Sequence, residues 1–263
     1  MSISSKSIKK LIFIRFKVKP TTAHFTSLTL NTFYAGRRTL ANIVAWPAKL
    51  EHFEFIVDDL VGCTDFCHVE SALAPQRDTL KTLRLMGVSL PSRVAAFDLS
   101  NFPYLEELTL CQSDTVGHTW GLEKIQPPRL RFLCWDFRRP PVHRLTRHAT
   151  TRDCIHKTLT DVGPREEEWL RALAAAADLH KTALQRIHIR YSPWVPANLA
   201  EVCPCCSLTP EERADFTYPW DRLDRVARDI QSQGIELTYD PPICTMDEIR
   251  NLFTTMDTWL DQT

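Results

Sequence analysis

The residues best suited to chemistry in this sequence are cysteines and histidines, which can bind zinc or exchange electrons. Cys203 and Cys206 are separated by two residues, the spacing of half a zinc site or of a redox motif. No second pair follows at the spacing of a zinc knuckle. The residues after Cys206, Ser-Leu-Thr-Pro, also delay the helix N-terminus that would stabilise a redox thiolate. We interpret the pair as a loop with free thiols.

A second group of possible ligands lies in a basic stretch of the chain. It comprises His143, His148, Cys154 and His156. Their spacing matches no standard zinc site, so we expect neither a metal nor another cofactor. The stretch also carries five arginines between positions 138 and 152, a patch that can contact phosphate or an acidic segment. It has no aromatic residues to stack on bases, so nucleic acid is not the expected partner.

Motifs for catalysis are missing from the sequence. There is no glycine-rich phosphate loop and no nucleophile elbow, and no serine, histidine and acid are placed together at strand ends. With only 7 glycines among 263 residues, tight catalytic loops are scarce. We therefore expect a protein that is not an enzyme.

Composition narrows the class of protein further. The chain is 44% hydrophobic and 24% charged, as in ordinary globular proteins, and 32 basic residues balance 32 acidic ones. The apolar run Leu11–Ile14 is too short for a signal peptide or a membrane span, and nine cysteines without an export signal indicate free thiols. We expect an intracellular protein, in the cytoplasm or the nucleus, with no membrane partner.

One short pattern recurs along the chain: an apolar residue, two variable residues, an apolar residue, one variable residue and a last apolar residue. Its starting positions advance by 25, 30, 25, 25 and 54 residues, and most of these steps lie at or just above the period of leucine-rich repeats, about 20 to 29 residues. The six copies are Phe25, Leu28, Leu30; Leu50, Phe53, Phe55; Leu80, Leu83, Leu85; Leu105, Leu108, Leu110; Leu130, Leu133, Trp135; and Leu184, Ile187, Ile189.

The spacing of the last two apolar positions predicts the fold. Residues two apart point to the same face of a strand, so each copy predicts a strand with one apolar face. Segments such as Arg37–Trp46, Ser92–Asp98 and Gly121–Ile125 then return the chain to the next parallel strand. We predict an α/β leucine-rich-repeat-like solenoid, an open curved parallel sheet with helices and loops on its convex side. It should be irregular, because no Asn follows the strands where standard repeats have one.

The repeat phrases DTLKTLRL (78–85), FPYLEELTL (102–110), PPRLRFLCWDF (127–137) and IELTYDPP (235–242) carry a family resemblance. The chain resembles degenerate leucine-rich-repeat regions of fungal F-box-like proteins. This resemblance implies a substrate receptor of a ubiquitin ligase, in which an F-box binds the ligase scaffold and the repeats select the substrate. The first 24 residues are too few for that helical module, so a ligase scaffold is expected as a partner only if an F-box exists outside this chain.

The domain organisation follows from the repeats. Residues 1–24 form an N-terminal cap or arm, and 25–263 form the repeat domain, interrupted by an inserted loop at 138–164 that lacks apolar periodicity. Pro164–Lys181 is the clearest predicted helix, with Pro and acidic residues at its start. Two further helices, Pro219–Gln233 and Thr245–Leu260, flank a short strand at Ile235–Tyr239. They belong to a helical C-terminal capping region, 208–263.

The residues flanking the apolar strand positions form the predicted binding surface. Stacked strands place these residues in columns on the concave face, where solenoids commonly bind partners. Their mixture of acids, bases and one aromatic suits another protein as the partner. The ten residues are His52, Glu54, Thr82, Arg84, Glu107, Thr109, Phe132, Cys134, Arg186 and His188.

Two other functions fit parts of the pattern. Repeated strands and helices over some 250 residues also describe a (β/α) barrel enzyme, although a barrel needs strands that are apolar on both faces. A zinc-stabilised nucleic-acid-binding protein built on the basic loop is the third possibility. The leading hypothesis is a non-enzymatic protein-protein interaction module.

Overall fold

A seven-stranded parallel sheet forms the centre of the structure. The computed structural model describes residues 19–31, 36–57, 66–88, 98–111, 122–137, 161–192, 216–251 and 254. The strands are β1 Ser27–Asn31, β2 His52–Ile56, β3 Thr82–Met86, β4 Glu107–Cys111, β5 Phe132–Asp136, β6 Arg186–Arg190 and β7 Glu236–Tyr239. Every neighbouring pair is parallel, and the order of strands in the sheet is their order in the chain. All seven predicted strands are therefore confirmed.

The register of the sheet follows the apolar repeat. Leu83 pairs with Leu108 and Leu108 pairs with Leu133, so the three leucines are neighbours in one ladder, as the repeat predicts. β1 and β7 lie at opposite ends of the strand order and the sheet is open. The alternative of a closed (β/α) barrel is therefore wrong, because a barrel would require the first and last strands to pair.

The core lies on one face of the sheet. The second and fourth residues of the strands point into it, and Phe53, Leu83, Leu108, Leu133 and Ile187 are at most 1% exposed. The first apolar residue of most copies of the repeat, such as Leu80, is buried with them. Each copy therefore contributes three side chains to a continuous interior, which is why the spacing recurs.

Helices cover this apolar face. They are α1 Arg37–Val44, α2 Phe66–Leu73, α3 Pro164–His180 and α4 Pro219–Gln231, with 3-10 turns at Ala74–Gln76 and Leu122–Ile125. Residues 246–251 are also helical. The structure confirms the predicted helices at Pro164–Lys181 and Pro219–Gln233, and finds α1 and a 3-10 turn in the return segments 37–46 and 121–125. Three predicted segments lie mostly outside the described residues: the arm 1–24, the return segment 92–98 and the inserted loop 138–164.

Helix α3 is fixed at both ends and along its apolar side. The Gly163 amide donates to the Glu166 carboxylate at 2.9 Å, and Pro164 provides the first helical residue. Lys181 ends the helix in the left-handed conformation, with φ of 51°. Trp169 stacks on Trp135 of β5 with ring centroids 4.2 Å apart. This contact holds α3 against the sheet. No helix in the described ranges is long and apolar enough to cross a membrane.

Two buried glutamines, Gln76 and Gln126, hydrogen-bond to backbone groups beneath the sheet. The Gln76 side chain accepts a hydrogen bond from the Leu50 amide at 3.0 Å and donates to the carbonyls of Val44 and Pro47 at 3.2 and 3.0 Å. Gln126 likewise donates to the carbonyls of Leu122 and Leu173, both at 3.2 Å. Each glutamine satisfies backbone groups of neighbouring segments inside the protein, where water is excluded.

Candidate functional site

The face of the sheet opposite the core is polar and partly open to solvent. The first, third and fifth residues of the strands lie on it, and all ten residues predicted for the binding surface occupy first or third positions. His52, Glu107 and Arg186 are exposed, and most of the others are half-buried. We call this surface, formed by the first, third and fifth residues of β1–β7, the polar face. Parallel sheets are usually covered on both sides, so the exposed first-position side chains are unusual, whereas the fifth-position residues Met86, Cys111 and Asp136 are buried.

A charge network crosses the middle of the polar face. The Arg84 guanidinium lies 2.7 Å from the Glu54 carboxylate on β2 and 3.7 Å from Asp136 on β5. Arg190 on β6 donates to the same Asp136 oxygen at 3.4 Å. The Asp136 side chain is fully buried, whereas about a third of each arginine side chain is exposed. The two guanidiniums therefore supply the charge that a buried carboxylate needs.

A second polar group lies on β6 and β7. Arg186 donates to Glu236 at 2.7 Å, and the two side chains are about half exposed. His188 contacts Asp240 through Nε2 at 3.3 Å and Thr238 through Nδ1 at 3.0 Å. The His188 ring also stacks on Phe132, with centroids 6.5 Å apart and planes 20° apart. Phe132 is thus the aromatic centre of this part of the face.

Cys134 lies beside His188 in the register, a combination that invites comparison with a catalytic thiol. Its surroundings do not activate it. Only 1% of Cys134 is exposed, and burial raises the pKa of its thiol. Both imidazole nitrogens of His188 already face Thr238 and Asp240, so the ring is not directed at the sulfur as a base. Cys134 is part of the predicted surface by position but offers no contact area to a partner.

The predicted metal candidates Cys203, Cys206, His143, His148, Cys154 and His156 all lie outside the described residues. Within the part of the chain that the structure describes, no group of three or more His, Cys, Asp or Glu side chains is arranged to hold a metal ion.

Sequence reasoning missed several residues of this face. Asp136 and Arg190 are fifth residues of their strands, and Glu236 and Thr238 belong to β7, which the apolar triplet did not include. The signal for them was available, because the alternation of faces continues through every strand. Extending it by one step past Cys134 and His188 would have placed Asp136 and Arg190 on the same surface.

No family model matches the chain, and neither the curated proteins nor the solved structures contain a match to it.

Proposed function

We propose that this chain is a non-enzymatic protein-binding module of the leucine-rich-repeat-like solenoid type, which holds another protein against the polar face. One observation carries the proposal: the open parallel sheet buries one face completely and leaves charged and aromatic side chains accessible on the other. A polar surface with an aromatic centre is typical of protein interfaces.

The charges of the polar face favour a protein over a nucleic acid as the partner. Among the described residues, five carboxylates lie on it or contact it, those of Glu54, Glu107, Asp136, Glu236 and Asp240, against the three guanidiniums of Arg84, Arg186 and Arg190. The carboxylates therefore outnumber the guanidiniums, which makes the sum of these charges negative. A phosphate backbone would be repelled from such a surface, since its binding depends on uncompensated basic residues.

The more specific form of the proposal rests on the sequence resemblance. In a substrate receptor of an F-box-type ubiquitin ligase, the repeats would select the substrate and an F-box outside this chain would bind the ligase scaffold. We propose that such a module lies inside the cell, in the cytoplasm or the nucleus, since the free thiols of Cys111, Cys134 and Cys244 are compatible with a reducing compartment.

Affinity purification with mass spectrometry tests the proposal through a bulky substitution at the centre of the face. Thr109 is half-buried on β4, and Thr109→Trp adds a ring that blocks close approach without adding charge. Thr22→Trp is the matched control, because Thr22 is exposed ahead of β1 and lies off the polar face. We expect a protein partner that the wild type and Thr22→Trp recover and Thr109→Trp loses.

One outcome of this experiment would contradict the proposal. If the partners of all three proteins are identical while their circular dichroism spectra agree, the polar face does not bind a protein. Ligase components among the partners would support the receptor form, and a partner without them would favour a plain binding module.

A further inference from the structure

The basic side chains of the polar face are already paired within the protein. The Arg84 guanidinium lies 2.7 Å from Glu54, and Arg84 and Arg190 both contact Asp136. Arg186 donates to Glu236 at 2.7 Å. An acidic group of a partner would therefore have to compete with a carboxylate that each arginine already contacts. The paired arginines make an acidic partner segment a poor fit for this face.

One acidic side chain of the face is in the opposite situation. Glu107 is exposed on β4, the central strand of the seven, and no ion pair or hydrogen bond joins its side chain to any described residue. It lies between Thr82 on β3 and Phe132 on β5 in the register, neither of which carries a charge. Its carboxylate is therefore available to a cation from outside.

The neighbour of Glu107 adds a second element of recognition. Phe132 is half-buried, and its ring is held beside the polar face by stacking on His188. A fixed aromatic ring next to a carboxylate suits a guanidinium, which can lie flat on the ring while its N–H groups donate to the acid. A lysine ammonium can satisfy the charge but not the flat contact.

Charge and geometry together identify the kind of partner. We infer that the polar face takes a basic segment of another protein, one arginine of which pairs with Glu107 and packs on the Phe132 ring. This inference rests on the proposed function and specifies its partner. The net negative charge of the face supports it, since complementary charge speeds and selects association.

Peptide selection on the purified full chain tests the inference. Random linear peptides displayed on phage are selected on the immobilised protein, and the enriched sequence is synthesised with arginine and with its uncharged analogue citrulline. We expect enrichment of arginine next to apolar residues. Replacing that arginine by citrulline, or Glu107 by Gln, should weaken binding about tenfold, since each removes the same charge-assisted hydrogen bonds. Phe132→Leu should weaken it about threefold through loss of the ring.

The matched control is Glu123→Gln, which removes the same charge from an exposed glutamate on the 3-10 turn between β4 and β5, away from the polar face. It should leave peptide affinity unchanged. Glu107→Gln and Glu123→Gln both alter exposed residues, so equal thermal melting temperatures confirm that folding is intact.

The failures of the inference and of the proposed function are distinguishable. Two results would contradict the basic segment and still support protein binding on the polar face. In the first, the enriched peptides lack basic residues. In the second, they bind Glu107→Gln as well as wild type but lose affinity for Thr109→Trp. A selection that enriches no peptide also counts against the basic segment. Only an unchanged partner set of Thr109→Trp in the affinity purification contradicts both.

Discussion

The two faces of the sheet solve different physical problems with alternate residues of the same strands. On the core face each strand repeats its neighbour, with leucine beside leucine at Leu83, Leu108 and Leu133. On the polar face neighbouring residues differ in kind, as where Glu107 stands beside Phe132. Burial of apolar area is nondirectional and tolerates repetition, whereas charged groups need particular partners. The core face therefore determines the fold. The side chains of the polar face can vary among proteins of this fold without changing it.

The two faces should differ most in their response to truncation of a large ring, and β5 carries one such ring on each side. Trp135 is fully buried and packs against Trp169 and Phe137, at 4.2 and 4.8 Å between ring centroids. Trp135→Ala should lower the free energy of unfolding by about 3 to 5 kcal/mol, because it removes the ring and leaves a cavity. Urea denaturation followed by tryptophan fluorescence and circular dichroism measures the loss.

Phe132→Ala provides the matched control on the same strand. Phe132 lies three residues earlier, on the polar face, and is already partly hydrated. Its truncation should cost at most about 1 kcal/mol, since little burial and one stacking contact are lost. A cost equal to that of Trp135→Ala would mean that the polar face contributes to the core of the protein and is not a free surface.

The next effect distinguishes two carboxylates of the polar face. Asp136 is fully buried between Arg84 and Arg190, whereas Glu236 is about half exposed beside Arg186. Asp136→Asn should destabilise the protein by about 2 kcal/mol, as expected for losing charged hydrogen bonds inside a protein. Glu236→Gln should cost less than about 0.5 kcal/mol, because solvent screens an exposed pair.

Salt dependence sharpens this second test. Added sodium chloride should leave the cost of Asp136→Asn nearly unchanged and remove most of the cost of Glu236→Gln, since screening acts on exposed charges. Urea denaturation at low and high salt measures both values. If the two substitutions cost the same at low salt, burial does not distinguish the two pairs and the charge network is only a surface feature.

Most of the fold could be predicted from the sequence because the core face is repetitive. The triplet that begins at Leu80 recurs at Leu105 and Leu130, and a two-residue spacing of apolar side chains has only one arrangement on a strand. Copies with the same spacing align their apolar residues in only one register, so the pairing of the strands could be predicted as well. Helix α3 was predictable from its local signals, a proline and acids at its start.

The pairings on the polar face could not be predicted in the same way. Asp136 contacts Arg84, which lies 52 positions away in the sequence and two strands away in the sheet, and such a contact depends on side-chain length and direction. Gln76 was missed for a similar reason. A glutamine before a strand resembles any polar loop residue until its backbone partners at Val44, Pro47 and Leu50 are brought around it. The repeat pattern predicts the positions that all copies share, whereas Asp136, Arg84 and Gln76 each occur in one copy.

The smallest predicted effect concerns an ion-pair cluster next to the sheet, formed by Glu51, Lys49 and Lys81. Glu51 precedes β2 and contacts Lys49 at 2.6 Å and Lys81 at 3.1 Å. Hydrogen bonds from these two lysines lower the pKa of Glu51 from 4.5 to about 2. The folded protein thus holds this carboxylate ionised at a pH where the unfolded chain protonates it. Its contribution to stability is complete above pH 4.5 and is lost as the pH falls towards 2.

Glu51→Gln should therefore be slightly less stable than wild type at neutral pH, and the difference should shrink as the pH falls from 4.5 towards 2. Urea denaturation at a series of pH values measures the two free energies of unfolding. Glu123→Gln is the control, because Glu123 has no ion pair with a described residue and should show no such trend. A difference that stays constant or widens down to pH 2 would show that the lysines do not hold Glu51 in its charged form. The ion pairs of Glu51 would then contribute nothing to stability through charge, in contrast to the buried network of Asp136.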